Sequence, residues 1–121
     1  MSKLRIGFVG VGTMGQCAHL KNYAAIDDCE VVALAEIRPQ LAEAVARKYG
    51  VPNVYASHED MIAGENLDGI VASQPFNRHG ILVPELLKAG VPIFTEKPLA
   101  NSIEAGERIL AALADAGMWH M

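Results

Sequence analysis

The stretch LRIGFVGVGTMG, residues 4–15, decides the fold. Leu4 to Val9 is an apolar-rich run of strand length and reads as a strand buried on both faces. Glycines at 10, 12 and 15 follow it, and Met14 to Ala25 then has the spacing of a helix. G-x-G-x-x-G alone is a weak signal, because glycine is common. Placed between a buried strand and a helix, it matches a dinucleotide-binding turn. Gly10 would make the tight turn, Gly12 would let the backbone approach a pyrophosphate, and Gly15 would let the helix pack against the strand. The first turn of that helix, with Thr13 and Met14, presents free N–H groups and a favourable dipole to the phosphates. A tight turn without a ligand is the competing reading. Three glycines at this spacing argue against it.

Strand-length apolar runs alternate with helical segments along the rest of the chain. Glu30 to Ala35, Val54–Tyr55, Gly69 to Ala72 and Pro92 to Thr95 read as strands two to five. Pro39 and Gly50 bracket one helix, in which Leu41, Val45 and Tyr49 recur at helical spacing. Ser57 with Asp60 resembles a capping box for a short helix ending near Gly64. Further helices run from His79 to Ala89 and from Ser102 to Gly117, the former distorted at Pro84. The alternation predicts an α/β fold, one doubly wound parallel sheet in the order 3-2-1-4-5, with a sixth strand begun at Met118. Residues 1–121 form one domain, without an internal repeat or linker.

Composition narrows the function classes. Of 121 residues, 51% are hydrophobic and 20% charged, which supports a buried core rather than disorder. The net charge is −4 with both signs interspersed, so no basic stripe points to nucleic acid. No apolar run approaches the ~20 residues that span a bilayer, and no signal peptide is read at the start. Cys17 and Cys29 form no CxxC pair, as suits two packed thiols in a reducing cytoplasm. The four histidines form no metal-spaced cluster, so no metal is expected.

Two further positions carry chemistry. Glu36 closes the second strand about twenty residues beyond Gly15, where the fingerprint places an acidic residue on the ribose hydroxyls. A carboxylate there repels a 2′-phosphate and favours NAD over NADP. Arg38 is the counter-evidence, since an arginine nearby can pair with that phosphate. It can equally be a solvated helix-start residue or lie over the adenine. TEKPLA, residues 95–100, puts Glu96 and Lys97 at the carboxyl end of a parallel strand, where open α/β sheets bind ligands. Lys97 could donate to a substrate hydroxyl. A surface ion pair before a proline is an equally good reading of the spacing alone.

Together, GFVGVGTMG, ALAEIRP, QPFNRH and AGVPIFTEKPLA resemble the amino-terminal half of the glucose-fructose oxidoreductase, inositol dehydrogenase and rhizopine catabolism family. The resemblance covers nearly the whole chain, and the Glu-Lys-Pro tripeptide is its specific part. It implies a Rossmann domain that binds NAD or NADP, in an enzyme exchanging hydride with a sugar or polyol hydroxyl. It implies that Lys97 lies near the nicotinamide and the reacting carbon, as the catalytic residue. Pro75 and His79 match a family loop of the form Thr-Pro-Asn-x-x-His. Gln74 and Phe76 depart from it, and Asn77 could replace one lost polar contact. For His79, a helix-start role is read ahead of cofactor contact.

The family's α+β second half, which supplies the substrate pocket and much of the dimer interface, has no counterpart in these residues. Hydride transfer needs a held substrate and a base for its proton. The chain is therefore expected to bind cofactor without being a complete enzyme. The leading reading is the nucleotide-binding unit of a two-domain oxidoreductase. A free-standing dinucleotide-sensing module and a small enzyme completed across a dimer are the alternatives. Met118, Trp119 and Met121 would leave an apolar edge, so self-association, as a homo-oligomer, is expected.

Overall fold

The computed structural model describes residues 2–13 and 15–121, Gln16 and Cys17 by their backbone alone. Five strands, β1 (Leu4–Val9), β2 (Cys29–Ala35), β3 (Asn53–Tyr55), β4 (Gly69–Ala72) and β5 (Ile93–Thr95), form one sheet in the order β3-β2-β1-β4-β5. Every pairing is parallel. The helices are α1 (Lys21–Ala25), α2 (Pro39–Tyr49), α3 (His58–Gly64), α4 (His79–Leu86) and α5 (Ile103–Ala116). This is the doubly wound order expected from the alternation.

Parallel strands need a crossover, and each crossover lays a helix on a sheet face. Alternate residues of each strand therefore enter different cores. Ile6, Phe8, Leu34 and Val71 pack with Leu20, Ala42 and Val45 on the side of α1 and α2. Val9, Ala33, Ile70 and Ile93 pack with Met61, Leu82, Leu86 and Ile109 on the side of α3, α4 and α5. The register of β1 on β2 slips between Ile6 and Gly7, leaving Val32 as the extra residue.

Local chemistry sets the element ends. Pro39 begins α2, and Gly50 closes it in the left-handed region at φ 69°. Ser57 and Ser102 cap α3 and α5 by accepting from the Asp60 and Ala105 N–H groups, each at 3.1 Å. The first connection differs from the expected continuous α-helix. Gly15–Leu20 is a π segment, with hydrogen bonds spanning five residues, and only Lys21–Ala25 is α-helical. Met14 and the Cys17 side chain, both assigned roles from the sequence, lie outside the described residues.

Pro84 lies inside α4 and has no N–H for the Gly80 carbonyl. The helix nevertheless continues to Leu86, and the tightening to a 3-10 turn comes only at Leu87–Ala89. Gly80 serves packing there: a Cβ on it would lie 3.1 Å from the Ala105 Cβ of α5. At the far edge, Ile93 and His120 form a parallel bridge. Met121 N–H donates to the Ile93 carbonyl at 3.0 Å and Thr95 N–H to the Met121 carbonyl at 2.8 Å. The terminal residues thus lie along β5, with the ladder starting at His120 rather than Met118.

Helix α5 turns one stripe to the core. Ile109 is fully buried, whereas its neighbour Leu110 is 59% exposed. Ile109→Ala should cost about 2–5 kcal/mol of unfolding free energy. Leu110→Ala should stay within about 0.5 kcal/mol of the unaltered chain. Urea unfolding of the two variants checks the contrast.

Candidate dinucleotide-binding site

The carboxyl ends of the parallel strands open into one cleft of about 890 Å³. Gly10, Gly12 and Thr13 line it from the β1 turn, and Glu36, Ile37 and Arg38 from the end of β2. Ser73 to Phe76 line it after β4, and Glu96 and Lys97 after β5. The cleft lies where the strand order reverses about β1, the position that binds ligands in open α/β sheets.

Gly10 has φ 88°, and a Cβ on it would lie 2.3 Å from the Ser73 carbonyl oxygen and 2.5 Å from Gln74 Nε2. No side chain fits there, so the turn needs glycine for both conformation and space. A Cβ on Gly15 would lie 2.9 Å from the Gly10 carbonyl oxygen, which makes it a packing glycine behind the turn. Gly12 is different. Among the described residues, a Cβ on it would meet Arg38 Nη2 alone, at 3.7 Å. The backbone is therefore bare on the side from which a pyrophosphate would approach.

Glu36 is buried at the end of β2, and its carboxylate accepts four hydrogen bonds. Oε1 accepts from Val11 N–H at 3.2 Å and Arg38 Nη2 at 3.1 Å. Oε2 accepts from Arg38 N–H at 3.1 Å and Nε at 3.0 Å. An ionised carboxylate has about four lone-pair sites, so these donors fill it. The Arg38 guanidinium, followed by the Val11 and Arg38 amides, holds the Glu36 carboxyl below its ordinary pKa, and burial opposes this only in part. Arg38 itself is mostly exposed, and its fork can leave Glu36 without opening a core.

Beyond β5, Lys97 stands at the cleft wall, joined to Pro98 by a cis peptide bond. Glu96 Oε2 accepts from the Lys97 N–H at 3.3 Å. Gln74 and Pro75 line the cleft. His79 is not on that wall. It is fully buried, and its Nδ1–H donates to the Leu99 carbonyl at 3.0 Å, while Nε2 has no hydrogen-bond partner among the described residues. It is the first residue of α4, the helix-start place read from the sequence, and it packs under the Glu-Lys-Pro loop rather than on the cleft wall.

Several cleft residues were not legible in the sequence. Ser73 and Phe76 enter because the β4 loop folds over Gly10. His58 and Glu59 line the rim, and Glu85 of α4 joins them, with ligand-type atoms within 4.8 Å of one another. His58 Nε2 meets Glu85 Oε2 at 2.6 Å and Glu59 Oε1 at 3.1 Å, so the His58–Glu85 contact ties α3 to α4. The spacing of histidines alone gave no sign of it. Cys29 is a free buried thiol whose pKa is raised by burial, which keeps it protonated and unreactive.

A glycine turn at the strand switch point and an ionised carboxylate at the end of β2, sharing one cleft, define a dinucleotide-binding domain of the Rossmann type. The chain belongs to the oxidoreductase family with an NAD-binding Rossmann fold, whose model matches residues 4–121. It is 30% identical over 107 residues to the myo-inositol 2-dehydrogenase of Thermotoga maritima, covering 88% of this chain and 32% of that protein. It is 31% identical over 116 residues to the inositol 2-dehydrogenase of Rubrobacter xylanophilus, covering 95% of this chain and 33% of that one. Scyllo-inositol dehydrogenase from Lactobacillus casei, solved with NAD(H) and scyllo-inositol, superposes with a TM-score of 0.89 at 26% identity, over 98% of this chain and 36% of that one. The WlbA dehydrogenase of Bordetella pertussis, solved with NADH and UDP-GlcNAcA, gives 0.88 at 29% identity over the same shares. The chain thus spans about a third of the length of these relatives. No helix among the described residues is long and apolar enough to cross a membrane.

Because the Glu36 pKa is lowered on folding, its ionised form stabilises the chain at neutral pH. That contribution is lost as pH falls through the folded pKa, below the ordinary carboxylate range. Urea unfolding across a pH series should show a steep acid limb, flattened in Glu36→Gln. An unchanged limb in the variant would contradict this. Gly10→Ala, strained and in contact with the Ser73 carbonyl, should destabilise the chain by about 1–3 kcal/mol, measured in the same way.

Proposed function

We propose that this chain binds NAD in the strand-end cleft as the nucleotide-binding part of a dehydrogenase acting on a sugar or polyol hydroxyl. The observation that carries the reading is that the bare Gly12 backbone, the ionised Glu36 and Lys97 line a single cleft. The pyrophosphate would lie on the Gly10–Thr13 turn, with the adenosine ribose at Glu36 and the nicotinamide toward Glu96 and Lys97. When bound, NAD supplies the hydride acceptor. The chain's own residues bind and orient it, and Lys97 would face the substrate hydroxyl as a donor or a relay for its proton.

The filled acceptor sites of Glu36 give the binding step a cost. A ribose hydroxyl can reach the carboxylate only after the Arg38 fork leaves it. The charge remaining on Glu36 then repels a 2′-phosphate, which favours NAD over NADP. The solved relatives with NAD(H) or NADH support the same choice of cofactor. The relatives' activities on inositols support a polyol as the substrate class. Trp119 and Met121, both well exposed near the β5 edge, support assembly with a second copy. The neutral buried thiol of Cys29 suits a reducing cytoplasm.

Calorimetric titration with NAD and NADP tests the reading. NAD should bind tighter than NADP. Arg38→Ala should tighten NAD by about fivefold, the scale of one net hydrogen bond released from competition. NADP binding as tightly as NAD would contradict the assignment of Glu36. These residues match only about a third of the length of relatives that act on inositols, and hydride transfer also needs a held substrate. The chain alone should therefore produce no NADH from myo-inositol. Steady production, lost in Lys97→Ala, would show a complete site.

A further inference from the structure

We propose that His19 is a positioning residue, a strut from the phosphate-binding segment to the Glu-Lys-Pro loop that fixes the nicotinamide end of the cleft. The inference rests on the NAD reading above and assigns a role to a residue that does not itself line the cleft.

His19 lies in the π segment Gly15–Leu20, directly after the glycine turn. Its Nε2 meets Glu96 Oε1 at 2.7 Å, across 77 residues of sequence. The other oxygen of the same carboxylate accepts the Lys97 N–H. One carboxylate therefore links the imidazole to the backbone of the residue proposed to face the substrate. The ring is held from a second side by Phe94 of β5, edge-on at 5.0 Å between centroids. Its side chain is only 13% exposed, against 31% for Glu96, so the contact is shielded more than a surface ion pair.

Helix geometry explains why this residue can reach. A π turn is wider than an α turn and is frequently found at functional sites. It replaces the α-helix expected over these residues and carries the His19 side chain to the carboxyl end of β5. On the loop's other flank, His79 donates to the Leu99 carbonyl from within the core. Residues 96–99 are thus tied from the dinucleotide side by His19 and from the α4 side by His79. Of the two ties, only His19 connects the loop to the segment that would hold the phosphates. Moving it would alter the spacing between pyrophosphate and Lys97 without touching the ribose site at Glu36.

The test separates the two ends of the ligand. The chain is titrated calorimetrically with NAD and with ADP-ribose, which lacks the nicotinamide. The unaltered chain should bind NAD more tightly than ADP-ribose. His19→Ala should weaken NAD by about tenfold, the scale of one charge-assisted hydrogen bond, and leave ADP-ribose unchanged. His19→Gln, whose amide can donate to Glu96, should recover the NAD affinity. Equal losses for both ligands would mark a general structural role and overturn the proposal. So would an unchanged NAD affinity, or equal affinity of the unaltered chain for both ligands. Binding of neither ligand by the unaltered chain would sink the NAD reading itself. In that case nitrogen-proton NMR of the free chain decides the strut. The Glu96 and Lys97 amide signals should shift in His19→Ala and return in His19→Gln, while those of Glu36 and Arg38 stay in place. An unmoved Lys97 amide would overturn it.

Discussion

The closest constraint in the molecule is the contact between Gly10 and the Ser73 carbonyl. Strands β1 and β4 run side by side, and both chains must turn away at the same end of the sheet. They turn through the same small space, where a Cβ at position 10 would sit inside van der Waals contact of the Ser73 oxygen. Because the side chain is absent, the β4 loop settles onto the β1 turn. That settling brings Gln74, Pro75 and Phe76 to the cleft and fixes its floor. The cleft is a consequence of two neighbouring strands leaving the sheet in a space that admits only backbone.

Charge is managed locally around this floor. Glu36 is a buried carboxylate, and such a group is costly unless it is hydrogen-bonded and paired. It is both, through Arg38 and the Val11 amide. The Val11 bond also ties the β1 turn to the end of β2, so the carboxylate proposed for the ribose braces the glycine turn as well. At the other end, Glu96 spans His19 and the Lys97 amide in the same manner. Each end of the cleft is thus organised by one carboxylate that joins two loops.

Much of this was legible in the sequence because the signals are local. The strands β1, β2 and β4 are apolar runs buried on both faces, and the turn glycines, Glu36 and Glu96–Lys97 fall at strand ends. The sheet order follows from alternation and handedness. What escaped reading depends on distant partners. His79 starts α4 as the sequence allowed, but its full burial and its bond to the Leu99 carbonyl depend on packing between distant segments. The π segment Gly15–Leu20 stands where the spacing suggested an α-helix, and helical spacing does not tell the two apart. The contacts of His19 with Glu96, and of His58 with Glu85, join residues whose separation in sequence carries no pattern.

The sheet also divides the interior into two layers that share a wall but few side chains. One face holds Phe8, Leu20, Leu34 and Val45, and the other holds Met61, Leu86, Ile93 and Ile109. Perturbations at sites without shared partners combine almost additively, whereas neighbours within one layer couple. Sequence drift in α4 or α5 can therefore be absorbed by repacking on its own side, while the layer beneath the glycine turn keeps its shape. A domain partitioned in this way can change one flank for new neighbours and leave the flank beneath the glycine turn intact.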